Sequence, residues 1–155
     1  MVNYKTVPVA DVYKQDRLAG HLARDSDTVT FTYNPSYPLE DAQVANTLPV
    51  GRPVTATGGA VPAFFAGLLP EGLRLTALTA ATKTSADDML TLLLAVGGDT
   101  IGDVRVAPIG EPLPPADTVT ATHAGESFTS MFAAAIGTTP DTVALPGVQE
   151  KMSGE

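Results

Sequence analysis

The sequence predicts an α+β fold in which a small antiparallel β-sheet packs against a helical cluster. Two observations carry this prediction. Within residues 7–34, apolar and aromatic side chains alternate with threonines at the period of a strand, and residues 101–107 return to a strand pattern. Residues 62–69, 72–82 and 86–96 have apolar patterns typical of helices. The apolar faces of such helices need the cover that a sheet provides.

Composition favours one folded domain. Of the 155 residues, 44% are hydrophobic, which is enough for a core of ordinary size. With 9 Lys and Arg against 17 Asp and Glu, the formal charge is −8, so we expect no direct nucleic-acid binding. The chain has no cysteine for disulfides or thiolate metal sites, and its start lacks the apolar run of a signal peptide. No window approaches a membrane span, so we expect a cytoplasmic protein without membrane contact.

The first strands are separated by predicted turns. Val29, Phe31 and Tyr33 alternate with threonines and mark the clearest strand. The Asp16-Arg17 pair suits a tight hairpin, and residues 25–27 supply the second turn. The prolines that follow disfavour helix, so we expect a loop at 34–38 and extended chain at 48–54.

The stretch 62–74, P-A-F-F-A-G-L-L-P-E-G-L-R, predicts a buried helix end and a forced turn. Pro70 and Gly72 interrupt the helix. Between them, Glu71 is interpreted as a surface carboxylate at a helix start, with contact to a partner as the alternative. Four large apolar residues at i, i+3 and i+4 spacing are expected to face the core: Phe64, Phe65, Leu68 and Leu69.

The last predicted helix is apolar on nearly every side and should be buried. Ser85 suits its N-cap, with Asp88 three residues later as a carboxylate variant of the capping box. Gly97-Gly98 is expected to end it as a C′ glycine does. After Pro108, a proline-rich connection predicts a domain boundary. The predicted domains are 1–108, a linker at 109–120, and 121–155.

Three blocks in this order resemble the N-terminal part of HipA-type serine/threonine kinase toxins. The first is F-F-x-x-L-L-P-E-G at 64–72, and the second is D-x-L-x-L-L-x-x-x-G-x-D-x-x-G-x-V at 88–104. The third, L-P-G-V-Q-E-K at 145–151, is similar to the glycine-rich loop of those kinases. The resemblance implies a HipA N-terminal subdomain, followed by the start of the kinase N-lobe.

The resemblance also implies a nucleotide site. In the family the loop covers the ATP phosphates, and the matching residues here are Gly147, Val148, Gln149, Glu150 and Lys151. A glycine-bearing turn offers backbone N–H groups to an anion, and a lysine adds positive charge. The family's autophosphorylated serine is replaced by Ala144, which argues against control by that modification.

The family's catalytic Asp and magnesium ligands lie beyond residue 155. ATP and Mg are therefore expected in the full-length protein, whereas this chain alone should be inactive and bind neither tightly. The implied partners are the C-terminal kinase core and a HipB-type antitoxin, through which DNA is bound indirectly. We predict no catalytic or metal-binding residue, because His21 and His123 have no second ligand at metal-ligand spacing.

Two functions remain open at this stage. The chain is either the N-terminal portion of a kinase toxin that phosphorylates a cytoplasmic target such as an aminoacyl-tRNA synthetase, or a free-standing module that docks on and neutralises a separate HipA-like kinase. We expect the first, a truncated fragment, because the sequence continues through the predicted linker into the glycine-rich loop. An unrelated α+β domain would have to match three ordered blocks by chance.

Overall fold

The computed structural model describes residues 3–38, 43–98, 100 and 102–113, which form an α+β fold. One antiparallel sheet has the strand order β4-β3-β2-β1-β5. Its strands are β1 (Val9–Lys14), β2 (Arg17–Asp25), β3 (Thr28–Tyr33), β4 (Val54–Ala56) and β5 (Val104–Pro108). The helices are α1 (Ala63–Ala66), α2 (Leu73–Thr82) and α3 (Met89–Val96), with a 3₁₀ turn at Tyr4–Thr6. No helix in this described part of the chain is long and apolar enough to cross a membrane.

The first hairpin turns one residue earlier than predicted. Gln15 takes a left-handed backbone conformation with φ 54°, and Arg17 already pairs with Lys14 as part of β2. The prediction of a turn at Asp16-Arg17 was therefore wrong by one position. The second turn lies where we expected it, with Ser26 at φ 53° and the hydroxyl of Thr28 donating to the Asp25 carbonyl at 2.8 Å.

The two edge strands, β4 and β5, come from later in the chain than β1 to β3. The strand β4 pairs with β3, so that Val54 lies opposite Phe31. The predicted extended chain at 48–54 is only partly correct, because residues 50–51 form a turn with Gly51 at φ 83°. At the opposite edge of the sheet, β5 pairs with β1, and Val106 lies opposite Val12.

The core lies between the three helices and the face of the sheet that carries Val12 and Phe31, here called the inner face. The rings of Phe31 and Phe65 lie 5.3 Å apart at the centre of that core. The predicted stripe is confirmed there: Phe65 is fully buried, and three partly buried side chains pack beside it, namely Phe64, Leu68 and Leu69. Helix α3 is buried over residues 90–94, as its composition predicted.

The helices differ from the prediction mainly at their ends. Helix α1 stops at Ala66, and Leu68 and Leu69 continue it only as tight turns. Helix α3 begins after Asp88, whose carboxylate accepts the N–H of Thr91, so the prediction of Ser85 as N-cap was wrong. Ser85 lies one turn earlier, where its carbonyl accepts the N–H of Asp88 at 3.2 Å.

Gly97 ends α3 for a different reason from the one predicted. Its backbone is right-handed, with φ −64°, so it is no left-handed C′ glycine. Instead, its carbonyl accepts the N–H of Val106 at 2.8 Å. A Cβ on Gly97 would lie 2.4 Å from the Val106 carbonyl oxygen. The residue is small because the end of α3 touches the backbone of β5.

A tyrosine fastens the loop that follows β3. The hydroxyl of Tyr33 donates to the carbonyl of Leu48 at 2.8 Å and accepts the N–H of Val44 at 2.9 Å. Burial raises the pKa of Tyr33 above its usual value of 10.0, and the hydrogen bond from Val44 opposes this effect. One side chain thus serves two backbone groups of a loop without regular secondary structure.

Candidate functional site

The predicted nucleotide loop, Gly147 to Lys151, lies outside the described residues, as do Ala144 and His123. Its contact with ATP stays a prediction. Within residues 3–38, 43–98, 100 and 102–113, no group of three or more His, Asp or Glu side chains is placed to hold a metal ion.

The Pro-Glu-Gly turn, residues 70–72, connects α1 to α2 at the surface. Gly72 has φ 60° and ψ −133°, a conformation that only glycine adopts readily. Its carbonyl accepts the N–H of Thr76, so α2 begins immediately after it. Glu71 is exposed at this helix start, as predicted.

Leu73 projects from the first turn of α2 with 66% of its surface exposed. It is the more exposed of the two large hydrophobic side chains that lie open to solvent in the described part, the other being Ile109 at 53%. Helix α2 packs on α3 and buries Ala77 and Leu78, which lie further along the helix. The described residues therefore leave the beginning of α2 uncovered.

A polar network joins β2 to the start of α3. One guanidinium nitrogen of Arg24 lies 3.2 Å from the Asp88 carboxylate, and the other donates to the Thr91 hydroxyl at 3.1 Å. Thr91 is 1% exposed, so this arginine satisfies a buried hydroxyl. The second oxygen of Asp88 accepts the hydroxyl of Thr84 at 2.8 Å. These contacts position α3 on the sheet.

A cleft of about 430 Å³ lies beside this network. Its rim carries Asp27 and Asp87, while Gly59 forms part of its wall. Hydrogen bonds from the Ser85 side chain and from the Asp87 backbone lower the pKa of Asp87, so this exposed carboxylate is ionised at neutral pH. The rim is therefore negative, which disfavours a phosphate-bearing ligand at this position.

A second pair of polar side chains lies on the opposite, outer face of the sheet. Asp11 is 5% exposed, and one of its oxygens lies 2.8 Å from Nδ1 of His21. Its other oxygen accepts the N–H of Gly110 at 3.0 Å. The sequence did not reveal this partner of His21.

A comparison with protein-family models identifies the domain. The model described as HipA N-terminal domain matches residues 10–107. The match runs from the first residues of β1 to the end of β5, so it includes every strand and helix from α1 to α3. The chain belongs to the HipA N-terminal domain family. No curated protein matches the chain.

The HipA N-terminal domain match includes two of the three sequence blocks that suggested the resemblance. The first block forms α1 and the Pro-Glu-Gly turn, and the second forms α3 and the start of β5. The third block, at 145–151, follows the matched range and takes no part in the family assignment. Both matched blocks consist mainly of side chains that pack in the core or shape turns.

Two side-chain pairs of this HipA N-terminal domain escaped the sequence analysis. A turn at Asp16-Arg17 would have placed Leu22 opposite Asp11, whereas the observed register places His21 there. The Arg24–Asp88 pair joins residues far apart in the chain, and no local pattern indicates such a contact. A polar residue flanked by Ala10 and Val12 in a strand was the one available signal for Asp11.

Proposed function

We propose that the chain is the N-terminal portion of a HipA-like serine/threonine kinase toxin of a type II toxin–antitoxin system. The full protein would phosphorylate a cytoplasmic target, such as an aminoacyl-tRNA synthetase, using ATP and Mg. The observation that supports this proposal is the HipA N-terminal domain at residues 10–107, followed by the L-x-G-x-Q-x-K pattern at 145–151.

In this proposal the described domain has no catalytic group of its own. The backbone around Gly147 and the charge of Lys151 would hold the ATP phosphates, as a glycine-bearing loop with a lysine can. The catalytic base and magnesium ligands would come from the kinase core. A HipB-type antitoxin would bind the complete toxin and supply the contact with DNA, which suits a chain of charge −8.

The surface that supports an association role is the beginning of α2. Leu73 directly follows the block at 64–72 that resembles the family, and it is 66% exposed although α2 buries other apolar residues. An uncovered leucine gains free energy when a partner removes it from water. We therefore assign Leu73 to the contact with the kinase core.

The decisive experiment starts from the reading frame downstream of codon 155. If the frame encodes a kinase core, the full protein should transfer the γ-phosphate of ATP to protein and arrest growth, and the adjacent antitoxin gene should relieve the arrest. A frame that encodes a long protein without phosphoryl transfer would contradict the proposal. If the frame stops and a kinase gene lies beside it, the alternative holds, and the chain should inhibit that kinase.

Leu73 is tested in the same assay. Replacing it with serine should weaken association with the kinase core, or inhibition of it under the alternative, without changing the thermal stability of the domain. The matched control is Ile109→Ser, which removes the other exposed apolar side chain at a distant site. If both substitutions weaken association equally, Leu73 has no specific role in the proposed contact.

A further inference from the structure

A buried carboxylate holds the turn that follows β5 against the outer face of the sheet. Asp11 lies opposite His21 in β2 and opposite Ala107 in β5. Its two oxygens have separate partners: Oδ1 lies 2.8 Å from Nδ1 of His21, and Oδ2 accepts the N–H of Gly110 at 3.0 Å. A single side chain therefore connects β2 to the residues that leave the sheet after β5.

The chemistry of the pair makes the contact with Gly110 strong. Nδ1 of His21 faces Oδ1 of Asp11, and the imidazole tautomer with a proton on Nδ1 donates to that oxygen. Burying a carboxylate is costly unless donors satisfy it, and here two donors approach from different sides. Hydrogen bonds to a charged group are about twice as strong as those between neutral groups.

The turn has few other contacts with the sheet. Gly110 is in a left-handed conformation with φ 75°, which fixes the reversal of the chain after Pro108. The N–H of Ile109 donates to the carbonyl of Val9 at 3.1 Å, but the Ile109 side chain is 53% exposed and contributes little burial. The side chain of Asp11 adds to this backbone contact by accepting the N–H of Gly110.

We propose that Asp11 and His21 form a latch that sets the direction in which the chain leaves the sheet after β5. When the latch opens, Gly110 separates from Asp11 while the five strands stay paired. The inference concerns only described residues.

Amide hydrogen exchange of the 155-residue chain, followed by NMR, tests the latch. The Asp11→Ala variant should speed exchange at Gly110 by about 10-fold or more relative to Val106 in β5, since a hydrogen bond to a charged group has been removed. His21→Ala should give a smaller increase at Gly110, because the carboxylate keeps its place but loses a donor. The readout requires no kinase activity, so failure of the proposed function and failure of the latch are distinguishable.

Asp16→Ala is the matched control. It removes a carboxylate from the same hairpin that also contacts β5, through Arg105 at 3.0 Å, but at the opposite end of the strand. In Asp16→Ala, the ratio of the exchange rate at Gly110 to that at Val106 should equal the ratio in the unmodified chain. An unchanged ratio in Asp11→Ala overturns the latch. If Asp11→Ala fails to fold, His21→Ala decides, and an unchanged ratio there overturns it equally.

Discussion

The guanidinium of Arg24 lies 3.2 Å from the carboxylate of Asp88, and this contact fastens the end of β2 to the N-cap of α3. Asp88 at the same time accepts the N–H of Thr91, so the residue that begins the helix also connects it to the sheet. Leucine packing alone would allow α3 to slide or rotate on an apolar surface. The charged contact fixes one position.

Replacing Arg24 with methionine should lower the free energy of unfolding by about 2–3 kcal/mol. The methionine keeps most of the apolar stem, but it removes the charged partner of Asp88 and leaves the buried Thr91 hydroxyl without its donor from Arg24. About a fifth of the Arg24 side chain is exposed, so water replaces only part of the lost interaction. Urea denaturation followed by circular dichroism measures the loss.

Arg52→Met is the control for this substitution, because Arg52 is exposed and no contact of it is described. It should change stability by less than about 0.5 kcal/mol. A loss at Arg24 as small as that at Arg52 would show that the network adds nothing to the packing of α3.

Alanine at Gly97 should destabilise the domain by about 1–3 kcal/mol, the usual cost of overpacking. The new methyl group would lie 2.4 Å from the Val106 carbonyl and 2.7 Å from that of Leu93, and neither backbone atom can move freely. Thermal unfolding gives the measurement. Gly67→Ala is a suitable comparison, since Gly67 also has right-handed geometry and a Cβ there would lie 3.3 Å from the Phe64 carbonyl oxygen. Similar losses for both variants would refute the close approach of α3 and β5.

Removing the hydroxyl of Tyr33 should cost about 1–3 kcal/mol, because the N–H of Val44 and the carbonyl of Leu48 both lose their partner. The ring would keep its edge contact with Phe31 at 4.9 Å, so Tyr33→Phe tests the hydrogen bonds separately from the packing. Chemical denaturation at pH 7 measures the loss, and faster proteolysis within residues 43–48 should accompany it. A fully stable variant with an intact loop would contradict the role assigned to the hydroxyl.

The same tyrosine predicts a loss of stability in alkali. Burial raises the pKa of Tyr33 in the folded state above 10.0, so folding favours the protonated phenol. That contribution is complete below pH 10 and is lost as the pH rises from 10 through the folded pKa. Stability measured between pH 8 and pH 11 should therefore fall more steeply in the unmodified protein than in Tyr33→Phe. Parallel curves would exclude Tyr33 as the source.

The sequence predicted most of the elements because their signals are local. Alternating threonines identified β3, and a run of apolar residues identified α3. The sequence did not predict that β4 pairs in the sheet, because a strand of three residues is too short to show alternation. The N-cap of α3 was assigned to Ser85 although Asp88 fulfils it, because both residue types suit a cap and the partner that decides between them, Arg24, lies on β2.

The candidate surfaces were less predictable than the fold. In the alternating pattern of β1, Asp11 occupies a position expected to face solvent. Its burial follows from the turn after β5 and from the register that places it opposite His21. Leu73 belongs to an apolar helix, and its exposure depends on which face of α2 meets α3. The pattern at 145–151 was recognisable by its residue types, and its geometry lies outside the described chain.

The pairing of β1 with β5 joins the first and last strands of the domain. A ribosome releases β1 long before it releases β5, so one side of β1 has no partner during most of synthesis. An unpaired strand edge can pair with other chains, and translation that stops before Val104 leaves that edge open permanently. In newly made protein, this edge of β1 is therefore protected from aggregation only after β5 has emerged from the ribosome. We expect slow translation through α3 and β5 to lower the yield of folded protein.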